Sequence, residues 1–241
     1  MRISDHAALL NIPFGNGGAL HPALLWDDTE LILVDAGFPG QYPLFQKAIE
    51  EEGFSMDRIT RLLLTHEDMD HIGCARDILA ENPSISIMAH RIEAPHINGE
   101  LLPSKLLLQQ ERMDTLSPEE EEKLQERMAL YHAHTVPIME LLTDGQVLSY
   151  CGGIRILHTP GHTPGHICLY LEGSHALITG DALNIKKDAL AGPASEHTLD
   201  MELALASLHP LLDLPIQKVL SYHGGYWEGD FQDGLRALLA K

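Results

Sequence analysis

"ITRLLLTHEDMDHIG", residues 59–73, carries an apolar run straight into a cluster of metal-binding side-chain types. The run around Leu62, Leu63 and Leu64 has the form of a strand buried on both faces. His66, Asp68, Asp70 and His71 then follow within a few positions, with Glu67 as a fifth candidate. A loop at the carboxyl end of a strand is a usual place for a site in an α/β fold. In an extended loop, the alternation of His66, Asp68 and Asp70 turns them to one side. His71 comes at the turn into a helix expected from about Ile72. A plainer reading is a helix start, with Asp70 as its cap and Glu67 and Asp68 favouring its dipole. That reading covers the carboxylates and leaves two histidines without a role.

Later strands end in similar residues. "LHTPGHTPGHICLY", residues 157–170, spaces His158, His162 and His166 four apart. Its prolines and glycines forbid a helix and make a rigid turn between two strands. One of the three histidines is expected as a ligand, and the other two as hydrogen-bonding or orienting groups within the turn. "ALITGDALN", residues 176–184, is an apolar strand that ends at Gly180-Asp181. "VLSYHGGYW", residues 219–227, is another, followed by His223. Each residue alone has an ordinary structural reading. Their recurrence at several strand ends points to one shared metal centre.

The rest of the chain supplies the frame. Residues 7–34 read as short strands broken by turns, and "YPLFQKAIEEEGF", residues 42–54, as a helix stopped at Gly53. A helix over "IGCARDILAEN" and a strand over "SISIMAH" follow. Residues 91–145 are rich in Leu, Met, Glu and Gln, and Ser117-Pro118-Glu119-Glu120 has the form of a capping box. They read as a helical insertion. Leu106, Leu107, Leu108, Met113 and Met128 in it either line a pocket or pack the helices together, and His132 and His134 either approach the metal centre or, on the plainer reading, are surface or packing residues. Strands then resume, with helices near residues 199–213 and 231–240. This order predicts an α/β fold: a four-layer αβ/βα sandwich of two mixed sheets with outer helices. One domain spans residues 1–241, with a helical lid at about 91–145.

Composition bounds the partners. The net charge is −19, from 16 basic and 35 acidic residues, and the basic residues are scattered along the sequence. Such a chain repels nucleic acid and anionic membranes, so a small-molecule substrate is expected. Fifteen histidines are many for 241 residues. Cys74, Cys151 and Cys168 form no CxxC pair, which favours a reducing compartment. The first residues lack a signal-peptide core, and no apolar run reaches the ~20 residues of a membrane span, so a cytoplasmic location is expected. Composition leaves open whether the chain is a monomer or a homodimer.

Taken in order, these motifs resemble the metallo-β-lactamase superfamily, whose pattern is His-x-His-x-Asp-His, a Gly-His turn, an aspartate after a later strand, and a final histidine. The likeness covers roughly residues 7–90 and 145–240. It implies two divalent metal ions, zinc by family habit. The first would take His66, Asp68 and His162; the second Asp70, His71 and His223; Asp181 would bridge them. Asp35 matches a supporting aspartate of the family. Asp68 departs from the pattern, which has histidine there, and a carboxylate shifts preference toward iron or manganese. The implied reaction is hydrolysis, because metal-bound water supplies hydroxide at neutral pH. Asp70 would bind metal and orient the nucleophile, and the expected substrate is a small or medium ester, lactone or thioester. Asn184 stands where related lactonases have a tyrosine, and Lys186-Lys187 is the only adjacent basic pair. The alternatives are an iron-dependent oxidoreductase, dioxygenase-like or flavodiiron-related, and a phosphodiesterase. A metal-binding module without catalysis is a further alternative.

Overall fold

The computed structural model describes residues 1–15 and 17–240. A seven-stranded sheet runs, in spatial order, through Arg2–Ser4, Ala7–Leu9, Ala23–Trp26, Leu31–Val34, Arg61–Leu64, Ser86–His90 and Glu140–Leu142. Its first four strands pair antiparallel and its last four parallel. A six-stranded sheet runs through Val147–Leu148, Ile154–His158, Ile167–Leu171, Ala176–Ile178, Lys218–Ser221 and Gly225–Glu228. In it only Ala176–Ile178 and Lys218–Ser221 pair parallel.

The strands are apolar at successive positions because both of their faces are covered. Ile32, Val34 and Leu63 point between the sheets, where they meet Ile154, Ile156, Ile167, Leu169 and Leu171 of the other sheet. Leu31, Leu33, Leu62 and Leu64 point the opposite way, onto Phe45, Ile49, Ile72 and Ile78 of the outer helices. Cys168, Tyr170 and Val219 face Phe231, Leu235, Leu208 and Leu211 on the far side. Two sheets packed on each other, each with an outer helical layer, give the sandwich expected from the sequence.

The inserted segment forms helices Ala94–Ile97, Ser104–Gln110 and Pro118–Ala133. The Ser117–Glu120 capping box is formed in both directions. Leu106, Leu124 and Tyr131 are buried against the core, with Met113 and Met128 packed partly under them. Of the residues considered as pocket lining, Leu106, Met113 and Met128 pack with the core, while Leu108 is exposed and lines a cavity. His132 is exposed, and His134 bonds to the Leu130 carbonyl. Sequence periodicity did not show the strand Glu140–Leu142, whose Leu141 is exposed at the sheet edge. Nor did it show the hairpin Asn184–Lys186 with Ala189–Ala191, where Lys187 and Asp188 take positive φ in the turn.

Candidate metal centre

The loops that follow Leu31–Val34, Arg61–Leu64, Ile154–His158, Ala176–Ile178 and Lys218–Ser221 open on one edge of the sandwich. They bring Asp35, His66–His71, His162, Asp181 and His223 together. His66, Asp68 and His162 form one group of converging donor atoms; Asp70, His71 and His223 form another. Asp181 lies between them. Its Oδ1 is 3.2 Å from His71 Nε2 and 3.3 Å from His223 Nε2, and its Oδ2 is 3.5 Å from His162 Nε2. Asp70 Oδ2 is 3.1 Å from His223 Nε2, and Asp68 Oδ2 is 3.0 Å from His162 Nε2. All seven side chains named from the sequence therefore meet.

Each buried histidine is oriented from behind. His71 Nδ1 donates to Asp35 Oδ2 at 2.8 Å. The Thr65 hydroxyl also donates to Asp35, so it accepts from His66 Nδ1 at 3.0 Å. The Thr198 hydroxyl donates to the Ala194 carbonyl and accepts from His162 Nδ1 at 3.3 Å. In all three rings Nε2 is left to face the centre, the arrangement that fixes the tautomer of metal-binding imidazoles. Asp35 holds this network from a left-handed backbone, φ 66°. Asparagine tolerates that conformation, so Asp35→Asn is expected to fold and to bind Zn2+ about 10–100-fold more weakly, as measured by competitive titration with a chromophoric chelator.

His166 and His158 sit elsewhere in their turn. His166 Nδ1 bonds to the Thr159 hydroxyl, and its Nε2 accepts from the backbone N–H of Asp181 at 3.1 Å. It thus places the Asp181 backbone without reaching the centre. Gly180 takes φ 48°, and a Cβ there would come within 2.7 Å of His166 Nε2. His158 bonds to the Pro164 carbonyl. Tyr222 is also structural: its hydroxyl donates to the Asp70 carbonyl and accepts from Gly37 N–H.

The donor set suits a divalent cation. Four imidazole nitrogens and three carboxylates accept zinc, manganese or iron. His66 Nε2, His71 Nε2 and Asp181 Oδ1 are buried without a hydrogen-bond partner, although His71 and Asp181 lie close. Donor atoms of these three residues lie within 4.8 Å of one another. Burial, with His71 beside it, pushes the His66 imidazole down to about 4. For His223 burial opposes the charge, but Asp181 and Asp70 carry it up to about 9. Asp68 and Asp181 stay well below the usual carboxylate range; burial opposes this, and the surrounding histidines outweigh it.

Two features of the 65–71 loop depart from the sequence reading. Asp70 does not cap the helical turn Met69–Ile72. The cap position falls on Asp68, whose carboxylate makes no capping bond because it is turned to His162. Glu67 faces away from the centre and accepts from Ser104 N–H of the inserted segment, while Tyr131 donates to its carbonyl.

Sequence reasoning also passed over Glu93 and Lys105. Glu93 is fully buried and accepts from Glu67 N–H, Thr163 Oγ1 and Gly165 N–H, so one side chain fastens the 65–71 loop to the His162 turn. Lys105 contacts Asp68 Oδ2. Neither has a motif around it; only the tertiary fold brings them to the site.

One roomy cavity opens on the centre, and another lies beside Lys105. The first, of about 540 Å³, has Asp68, Asp70, Asp181 and His223 at its floor and Phe14, Phe38, Ile185 and Ala194 among its walls. The other, of about 450 Å³, takes Lys105, Arg112 and Arg127 from the inserted helices and their connection, and His197. Three of the basic residues that look scattered in sequence, Lys105, Arg112 and Arg127, thus line one cavity. Among the described residues, Arg112 and Arg127 form no ion pair.

The pattern of the metallo-beta-lactamase superfamily matches residues 21–223. The chain is 28% identical over 211 residues to the probable metallo-hydrolase YflN of Bacillus subtilis, covering 80% of this chain and 75% of that one. It is 25% identical to an atrochrysone carboxyl ACP thioesterase of Pseudocercospora fijiensis, over 75% of this chain but only 39% of that protein. A metallo-beta-lactamase family protein of Thermus thermophilus superposes with a TM-score of 0.75 over 99% of this chain and 80% of its own, at 23% identity. With the matched region covering most of its length, this chain belongs to the metallo-beta-lactamase superfamily.

Proposed function

We propose that the chain is a metal-dependent hydrolase of ester-type bonds, acting on a small or medium ester, lactone or thioester. The observation that carries this is the seven-residue cluster, of which Asp68, Asp70, Asp181 and His223 floor a cavity walled in part by Phe14, Phe38 and Ile185. In this reading His66, Asp68 and His162 would hold one divalent cation and Asp70, His71 and His223 a second, with Asp181 placed between the two sets. A bound cation lowers the pKa of water and polarises a carbonyl. Asp70 Oδ2, kept ionised by the histidines around it although burial opposes this, reaches the cavity and is placed to accept the proton of the attacking water. Phe14, Phe38 and Ile185 would bind an acyl or aromatic group. Arg112 and Arg127 next door suit a substrate with an anionic end. The thioesterase relative supports an acyl thioester as one such substrate, and its greater length leaves the rest of its activity with that protein.

Asp68 favours a second reading, an iron-dependent oxidoreductase. The test is a panel of p-nitrophenyl acyl esters, lactones, acyl thioesters and a phosphodiester, run with zinc-, manganese- and iron-loaded protein beside an oxygen electrode. Ester or thioester turnover without oxygen uptake is expected. Turnover of the phosphodiester alone, or oxygen uptake with iron, would overturn the assignment.

A further inference from the structure

We infer that Lys105 serves as a resident cation in the Asp68 half of the centre, so that the two halves differ in metal occupancy. The inference rests on the metal-site reading above. Lys105 stands in the first turn of the lid helix Ser104–Gln110. Its ammonium contacts Asp68 Oδ2 and lies 3.3 Å from His162 Nε2. The same Asp68 oxygen is 3.0 Å from His162 Nε2 and 3.4 Å from His66 Nε2. One carboxylate oxygen is therefore the focus of both histidines and of the lysine, and the ammonium borders the space that a cation on His66, Asp68 and His162 would fill.

Lys105 is held there. Its side chain is 19% exposed, the preceding Ser104 N–H donates to Glu67 Oε1, and Tyr131 ties the next lid helix to the Glu67 carbonyl. The other half differs. Among the described residues, the carboxylates of Asp70 and Asp181 meet only histidines, and no lysine or arginine pairs with either. An ammonium already neutralises Asp68 and repels an incoming dication, whereas nothing of the kind opposes loading at Asp70, His71, Asp181 and His223. The histidine-to-aspartate departure at position 68 gains a purpose here, since a carboxylate pairs with a lysine and an imidazole does not. Filling the first half requires the Lys105 ammonium to withdraw from Asp68.

The test is metal stoichiometry. Wild-type, Lys105→Met and Lys105→Arg proteins are loaded with excess Zn2+, passed through a desalting column and analysed by mass spectrometry for zinc per chain. Wild type and Lys105→Arg are expected to keep about one equivalent and Lys105→Met about two, because removal of the competing charge frees the second ligand set. Lys105→Ala, checked by circular dichroism, serves if the methionine variant does not fold. Two equivalents in wild type, or no gain in either neutral variant, would overturn the inference. Neither readout uses a substrate, so failure of the hydrolase assignment would leave this result to stand or fall by itself.

Discussion

Asp181→Ala is expected to lose ester-type turnover by roughly 100-fold or more, since removing even a supporting partner of a metal ligand costs about 10–100-fold. Asp181 faces both halves of the centre, one oxygen toward His71 and His223 and the other toward His162. No neighbouring carboxylate spans both. The backbone at this position is fixed independently, by the Asp181 N–H to His166 bond and by Gly180. The variant should therefore keep its fold, visible as an unchanged circular dichroism spectrum, while losing activity and bound metal together. Activity within a few-fold of wild type, with metal retained, would place the chemistry elsewhere.

Glu93→Ala is expected to lower stability by about 3 kcal/mol or more. It strands Glu67 N–H, Thr163 Oγ1 and Gly165 N–H in the interior, and each unsatisfied buried donor costs about 1–3 kcal/mol. For a chain of this length the melting temperature should fall by roughly 6–12 °C. Glu93→Gln keeps an oxygen for Thr163 and Gly165 but turns an amide toward Glu67 N–H, so its loss should be smaller. The same pair separates a pH effect. Burial and the neighbouring Glu67 push the Glu93 carboxyl up to about 8. A raised folded pKa means that the folded state holds the proton more tightly than the unfolded state. Its stabilising contribution is full below the ordinary glutamate value and lost as pH rises through about 8. Between those limits the Glu93→Gln melting temperature should fall less steeply with pH than that of wild type. Parallel slopes would show that Glu93 is ionised throughout.

The layers of the fold were legible because burial on two faces writes itself into the strands. Leu62, Leu63 and Leu64 are apolar in succession because they serve two cores in alternation. Glu140–Leu142 was hidden for the converse reason: an edge strand with Leu141 in solvent carries no such pattern. The seven centre residues could be named because each follows a recognisable strand and their order matches a known one. Glu93 and Lys105 could not. A buried glutamate that bonds to backbone N–H groups, or a lid lysine that meets a carboxylate across 37 residues of sequence, has no local periodicity. The cap at Asp68 was missed because the site claims the very carboxylate that local rules would assign to the helix turn.

Dependence of catalysis on metal is the most direct test of the proposed centre. Hydrolysis of an ester or acyl thioester identified in the panel should be followed on one preparation before chelation, after exhaustive dialysis against chelator, and after return of Zn2+ or Mn2+. Rate and metal content are predicted to disappear together and return together. An undiminished rate in protein with no measurable metal would contradict the proposed chemistry.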